Sequence, residues 1–310
     1  MKVYRSIENL PYEKNSYVTI GAFDGVHLAH QQIIRYVVDQ AKKQGGRSVL
    51  ITFDPHPLKV VPDQKIRIRL LTSLDEKRMI LEKMELDCLL VLPFTKSFSG
   101  ISPDQFIQDL LVSRIGVTQL IVGYNHGFGR GRKGDTELLK QLSDIHEFNL
   151  HVLEPYLKDG FRLSSTRIRD LLSQGNVKQA ADLLGHHYMI SGQVVKGNHF
   201  GRELGFPTAN LEIDNEDKLI PPDGVYAAYV QIKDQKLKGT VNIGTCPTVK
   251  SASRDIEVHI HNFSADIYGD KIIVEFFERI RDESCFDSIE SLRKQIGEDI
   301  DTSHGILENH

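Results

Sequence analysis

The sequence predicts an α/β domain with a parallel sheet, followed by a small antiparallel β-barrel with a closing C-terminal helix. Three observations carry that expectation. Apolar strand-like runs alternate with amphipathic runs through the first 184 residues, the pattern of right-handed βαβ crossovers. From Tyr188 onward, strand-like runs follow one another with only turn-rich pieces between them. The chain of 310 residues with 40% hydrophobic content is long enough for two ordinary cores. A boundary near His186 gives domains 1–185 and 186–310.

The elements follow in order. Val18-Thr19-Ile20 reads as a short buried strand, and Leu28, Ile33, Ile34, Val37, Val38 and Ala41 recur at helical spacing. A strand over 48–53, a helix from Ser73 to about Met84, a strand over 88–92, a helix over 103–112 and a strand over 119–122 continue the alternation. Ser73 with Glu76 and Ser102 with Gln105 have capping-box spacing, and Pro103 occupies a tolerated first helical position. Helices follow from about Ser164 toward Ser173 and over 177–184, the latter ended by Gly185. In the second domain, runs 188–195, 225–232, 237–243, 255–261 and 271–280 read as strands. Residues 286–299 read as a helix, and the tail after Ile300 as frayed.

Composition narrows the function. A formal charge of -4 and a pI near 6.4 give no general attraction for nucleic acid or an anionic membrane surface, so a small anionic ligand fits better. Cys88, Cys246 and Cys285 are odd in number and have no paired spacing, which speaks against a disulfide framework or a cysteine-rich zinc site. The N-terminus lacks a signal-peptide core, and no run approaches the roughly 20 apolar residues that span a bilayer. A cytoplasmic protein without nucleic-acid or membrane partners is expected.

Three stretches of the first domain can carry chemistry. GAFDGVHLAH (21–30) lies between a strand and a helix, where unpaired backbone N–H groups and the helix dipole favour phosphate. GYNHGFGRGRKG (123–134) follows another strand. Its glycines would let the backbone approach a ligand beside Arg130, Arg132 and Lys133, although an exposed flexible loop explains the same composition. SSTRIR (164–169) opens a helix with hydroxyls that can cap it or meet a phosphate, and Arg169 can reach the same side from about one turn along.

The second domain has KGNHFGRELGFPTAN (196–210), a loop carrying Gly197, Gly201 and Gly205 that leads into an extended segment. In that segment Thr208 and Asn210 would share one face, with Ala209 and Leu211 toward the core. Two oxygen donors beside a glycine loop suit Mg²⁺ and nucleotide phosphate, because Mg²⁺ takes few protein oxygens and several from its substrate. An edge strand started by Pro207 is the plainer explanation, but it leaves the three glycines unaccounted for. Alternation places Glu257, His259 and His261 on one face, making Glu257 the natural base. The two histidines lack a third ligand at suitable spacing, so zinc is not expected.

These residues, with TFDPHP (52–57), DGVY (223–226), NIGTCPT (242–248), EVHI (257–260) and IRDE (280–283), carry a resemblance that runs nearly end to end. The chain resembles the bifunctional prokaryotic riboflavin kinase/FMN adenylyltransferases, also called FAD synthetases. The resemblance implies a Rossmann-like nucleotidyltransferase domain over 1–185, where FMN attacks the α-phosphorus of ATP to give FAD and pyrophosphate. Over 186–310 it implies a riboflavin kinase barrel that makes FMN from riboflavin and ATP. His27 and His30 then match the two histidines of the HxGH signature, with Gly21 and Phe23 in the binding turn. Ser164, Ser165, Thr166 and Arg169 match the SSTxxR signature, and Asn125 lies in a substrate-holding loop. Thr208 and Asn210 match the PTAN residues for Mg²⁺ and ATP, and Glu257 the base for the ribityl hydroxyl. Ala29 departs from the family's glycine. It either crowds the nucleotide or sits well in a first helical turn, where alanine is favourable. A monofunctional riboflavin kinase whose first domain only binds nucleotide or flavin is the alternative, and a nucleic-acid-binding barrel disagrees with the acidic pI.

Overall fold

The structure, a computed structural model, describes residues 1–60, 68–124, 127, 134–158, 160–197, 201, 204–245 and 254–308. It divides into two compact units, one of residues 1–68 and 77–164, the other of residues 69–76 and 165–310.

In the first unit, strands β1 (Lys2–Tyr4), β2 (Ser16–Ile20), β3 (Arg47–Phe53), β4 (Cys88–Leu92), β5 (Val117–Gly123) and β6 (Asn149–Leu153) form one sheet in the order β1-β4-β3-β2-β5-β6. Every pairing is parallel. Such a sheet is covered on both faces, so its inner strands read as unbroken apolar runs, and β2 is buried at all five positions. Helices α1 (Leu28–Lys43), α2 (Pro57–Val60), α3 (Leu74–Glu82), α4 (Lys96–Ser99), α5 (Pro103–Gln105) and α6 (Thr136–Ile145) connect them. The helix expected over 103–112 continues past α5 as a π-helix over Phe106–Ile115, ended by Gly116 at φ 78°. Strand β1, helix α6 and strand β6 were not anticipated. A two-stranded hairpin, β7 (Leu157–Lys158) and β8 (Phe161–Arg162), completes this unit.

The order of strands matters more than their number. The chain runs outward from β2 through β3 to β4, then returns to lay β5 against the other side of β2. That reversal opens a crevice at the C-terminal ends of β2 and β5, the usual ligand position in an open α/β sheet.

In the second unit, β9 (Tyr188–Val195), β10 (Ala209–Ile213), β11 (Gly224–Ile232), β12 (Gln235–Thr245), β13 (Arg254–Ile260) and β14 (Lys271–Arg281) close into an antiparallel barrel in the order β10-β13-β12-β11-β14-β9. Helices α7 (Ser165–Ser173) and α8 (Val177–Leu184) belong to this unit, α8 packing on β14 and β9. Helix α9 (Ile289–Glu308) lies across β11, β12 and β14. It starts later and ends later than expected, and the tail to residue 308 is helical rather than frayed. The reason is side-chain spacing: Asp299, Ser303 and Leu307 recur every four residues and are all buried. Ser303 donates to the Gly239 carbonyl at 3.0 Å, and Asp299 takes a two-pronged ion pair from Arg281 at 2.9 and 2.7 Å.

The capping box predicted at Ser73 forms, with Ser73 N–H on the Glu76 carboxylate at 2.8 Å and Glu76 N–H on the Ser73 hydroxyl at 3.2 Å. The same carboxylate accepts from Lys218 Nζ at 2.7 Å and from Ser191 Oγ at 3.2 Å. Lys218 also donates to the Leu71 carbonyl at 2.6 Å and lies 4.4 Å from the centroid of the Tyr188 ring. Both charged side chains are 1% exposed. Around them Leu70 N–H donates to the Asp217 carbonyl and Leu219 N–H to the Leu70 carbonyl, so 69–76 is stitched to the barrel unit. Removing one partner from such a pair strands the other charge, whereas removing both does not. We expect Lys218→Met to cost about 3–5 kcal/mol in urea unfolding of the barrel unit, and adding Glu76→Gln to recover a large part of it. Equal losses in the single and double variants would show that the pair is not the source.

Candidate active sites

Gly21–His30 leaves the C-terminal end of β2, and Gly123-Tyr124 leaves the end of the neighbouring β5. The two motifs therefore flank the strand reversal of the first unit. The turn is backbone-strained: Phe23, Gly25 and Val26 have φ of 46°, 84° and 39°. Glycine adopts such angles freely, but for phenylalanine and above all for β-branched valine they cost on the order of 1–3 kcal/mol each. Both side chains are buried, at 4% and 0% exposure, which binds the strained residues into the core. The Ala22 carbonyl accepts from Lys77 Nζ at 2.6 Å and Thr52 Oγ1 at 3.1 Å, and the Val26 carbonyl from Gln31 Nε2 at 3.0 Å.

His27 caps α1 by accepting from the His30 N–H at 3.4 Å, which requires its Nδ1 to be unprotonated. The two imidazoles stack with centroids 3.6 Å apart, and Phe23 meets His30 edge-on at 5.1 Å. Burial pushes the His30 pKa well below its usual 6.5, and His27 and Lys77 push it the same way. Among the described residues, His30 Nδ1 has no hydrogen-bond partner. A neutral ring with an unused nitrogen is poised to bond an incoming group. Ala29 is a partly exposed residue of α1 and is absent from the positive-φ residues, so its Cβ costs the backbone nothing.

Asn125, Arg130, Arg132 and Lys133 lie outside the described residues. Ser164 belongs to the first unit and Ser165, Thr166 and Arg169 to the second. There Arg169 Nε donates to the Arg69 carbonyl at 2.7 Å, a bond that fixes its side chain along the 69–76 segment.

In the barrel, register does what spacing could only suggest. Asn210 pairs directly with Glu257, and Glu257 in turn with Asn242 on the opposite strand. Directly opposed residues of antiparallel strands share a face with Cβ atoms about 5 Å apart, so three polar side chains form a row across β10, β13 and β12. Ala209, Leu211, Ile256, Val258 and Ile260 fill the buried face, as alternation predicts. Burial raises the Glu257 pKa above the usual carboxylate value, and the Asp255 charge adds to it.

The three loop glycines have three different reasons. A Cβ on Gly197 would come within 2.0 Å of the Asn210 amide nitrogen. One on Gly201 would lie 2.7 Å from the Phe206 carbonyl and 3.0 Å from the Thr208 hydroxyl. Gly205 has open space but a φ of 89°. Beside this loop a cavity of about 380 Å³ is lined by Val194, Thr208, Ala209, Val258, Ile260 and the 263–268 segment.

Two family models match the chain one after the other: FAD synthetase over residues 10–167 and riboflavin kinase over residues 184–307. A bifunctional riboflavin kinase/FMN adenylyltransferase from Buchnera aphidicola (Schizaphis graminum host strain) is 36% identical over 97% of both chains. The chain belongs to the bifunctional riboflavin kinase/FMN adenylyltransferase family. The Escherichia coli K12 relative of that name is 36% identical over 96% of both chains, and the Listeria monocytogenes one 33% identical over 92% of this chain and 90% of its own. A crystal structure described as a macrolide-efflux protein from Streptococcus pneumoniae superposes over 98% of both chains, with a TM-score of 0.88 at 29% identity. Among the described residues of this family member, no helix is long and apolar enough to cross a membrane.

Two residues escaped the sequence reading. Asn242 has no local signal, because its place beside Glu257 depends on strand pairing. Lys77 had no local signal, since a lysine one position after a capping glutamate ordinarily faces solvent. Here it is 6% exposed, and burial pushes its pKa down to about 8 against the pull of Asp24 and Asp54. The folded state thus binds this proton less tightly than the unfolded chain. The charge costs stability below about pH 8, and that cost is relieved as pH rises toward the unfolded value of 10.5. We expect the stability of the wild type relative to Lys77→Met to rise by on the order of 3 kcal/mol across this window. Urea unfolding at the two ends of the window measures it, and a difference independent of pH would refute it.

Proposed function

We propose that the chain carries out two consecutive steps of flavin cofactor synthesis, making FMN from riboflavin and ATP and then FAD and pyrophosphate from FMN and ATP. The observation that carries this reading is the presence of both family models in one chain, which aligns over 97% of its length with a relative of that name. It is favoured over a monofunctional kinase because the FAD synthetase match covers the whole Gly21–His30 crevice, with an undistorted helical backbone at Ala29. We assign adenylyl transfer to residues 1–185, with Ser164, Ser165, Thr166 and Arg169 serving it, and phosphoryl transfer to residues 186–310. The reducing cytoplasm is the expected setting.

Neither reaction needs a covalent enzyme intermediate, so the protein's work is in-line positioning and neutralisation of phosphoryl charge. In adenylyl transfer the FMN phosphate is already ionised and needs no base. The crevice turn with Gly21 and Phe23, the N-terminal N–H groups of α1, His27 and His30 hold the ATP phosphates, with Asn125 in the adjoining loop. An anion on the empty His30 nitrogen would favour the imidazolium, converting a neutral donor into a counter-charge as the ligand arrives. In phosphoryl transfer Glu257 removes the proton of the ribityl hydroxyl as that oxygen attacks the γ-phosphorus, and the bond to the β,γ-bridging oxygen breaks to release ADP. Gly197, Gly201 and Gly205 bring backbone to the nucleotide, and the 380 Å³ cavity beside Thr208 is of a size for its base.

The donor set fits Mg²⁺. Thr208 and Asn210 offer hard oxygens, and no group of three or more His, Cys, Asp or Glu among the described residues could hold a metal by itself. That suits an ion completed by substrate phosphate and water. Thr208 and Asn210 would hold Mg²⁺, which would neutralise charge on the phosphoryl oxygens.

Incubation with riboflavin, ATP and Mg²⁺ should yield FMN and then FAD by chromatography, and FMN with ATP should yield FAD and pyrophosphate. Glu257→Ala should abolish FMN formation while sparing the second reaction, and His30→Ala should do the reverse. Equal loss of both activities in either variant would contradict separate sites. Because Glu257 must be ionised, its raised pKa moves the acid limb of the kinase profile upward from that of an unperturbed glutamate. Asp255→Asn removes a charge that raises that pKa and should move the limb to lower pH; a limb that stays put would exclude Glu257 as the titrating group.

A further inference from the structure

The antiparallel ladder between β10 and β13 stops abruptly. Its recorded pairs are Asn210 with Glu257 and Ala209 with Val258. The next pair in that register would be Thr208 with His259, and after it Pro207 with Ile260. Proline has no N–H to give, so the backbone pairing cannot run on through residue 207. The segment that delivers Thr208 to the kinase site thereby loses the hydrogen bonds that would fix it. At that point His259 Nδ1 lies 2.9 Å from the Pro207 carbonyl oxygen. A carbonyl only accepts, so the imidazole donates from Nδ1. The ring is packed edge-on by Phe206 with centroids 6.0 Å apart and flanked by His261 at 5.7 Å, which restricts its rotation.

We infer that His259 is a positioning residue of the kinase reaction: its side chain replaces the missing ladder bond, setting the Pro207–Thr208 peptide and hence the Thr208 oxygen. One strand then serves the site twice. Glu257 faces Asn210, and two residues further along the same face His259 holds the peptide preceding Thr208. The role rests on the kinase reading given above. It adds to that reading a residue that touches no reacting atom, and it gives the EVHI segment a function beyond its glutamate. His261, the other histidine of this face, is engaged elsewhere, with Nε2 2.9 Å from Thr240 Oγ1 and its ring stacked on His304 at 6.0 Å.

The two amide analogues of histidine make a discriminating test. Asparagine places an N–H donor where Nδ1 stands, and glutamine places it where Nε2 stands. Initial rates of FMN formation would be measured against MgATP for the wild type, His259→Asn, His259→Gln and His259→Ala, with FMN-to-FAD conversion as the control for the other site and urea unfolding of the barrel unit as the folding control. The expected result is a KM for MgATP raised about 10-fold in His259→Gln and His259→Ala, the scale of one neutral hydrogen bond. His259→Asn should stay within about 3-fold of the wild type on the same scale. FAD formation from FMN should be unchanged in all three. Glutamine performing as well as asparagine, or asparagine failing as alanine does, would overturn the role. Wild-type protein that makes no FMN would instead sink the kinase reading, before any variant is compared.

Discussion

The Glu76–Lys218 ion pair is the constraint on which the barrel unit's composition depends. Two opposite charges 142 positions apart meet at 1% side-chain exposure, and each would be costly there alone. The carboxylate is satisfied by Ser73, Ser191 and Lys218, and the ammonium by Glu76, Leu71 and the Tyr188 ring. A pair so fully bonded is better at dictating which residues meet than at adding net stability. What it dictates is that a short stretch from the middle of the first family match folds with the second. The division into compact units accordingly falls inside α3, between Glu76 and Lys77.

In the proposed function the two centres solve the same chemical problem, an anionic phosphate in a protein, by different physics. In the parallel sheet, the crevice exists because strand order reverses there, and a helix start and a strained turn lie at its edge. In the barrel, strand pairing lines up Asn210, Glu257 and Asn242, and glycines bring backbone against them. The first arrangement offers positive ends of dipoles and needs no base. The second surrounds a carboxylate, the proposed base, with enough protein to raise its proton affinity.

Much of this was legible in the sequence, because it depends on local rules. The βαβ alternation gave the parallel sheet, the two-residue period gave the faces of β10 and β13, and Ser73 with Glu76 gave a helix start. What was hidden depends on chain reversal. Nothing near Glu76 announces Lys218, nothing near Lys77 announces the Ala22 carbonyl, and Asn242 becomes a neighbour of Glu257 only when β12 pairs with β13. The polar tail misled for a related reason. Its few contact residues, Ser303 and Leu307, are buried only because the barrel wall is there to receive them.

Lys77 and Thr52 both grip a main-chain oxygen, that of Ala22. Such a hold is blind to the side chain at position 22. The information that specifies the turn is stored elsewhere, as backbone angle at Phe23 and Val26 and as reach from two other elements. A template that searches for this kind of centre by matching side chains would therefore pass over the atom at its hub, whereas one built on carbonyl positions and donor directions would find it.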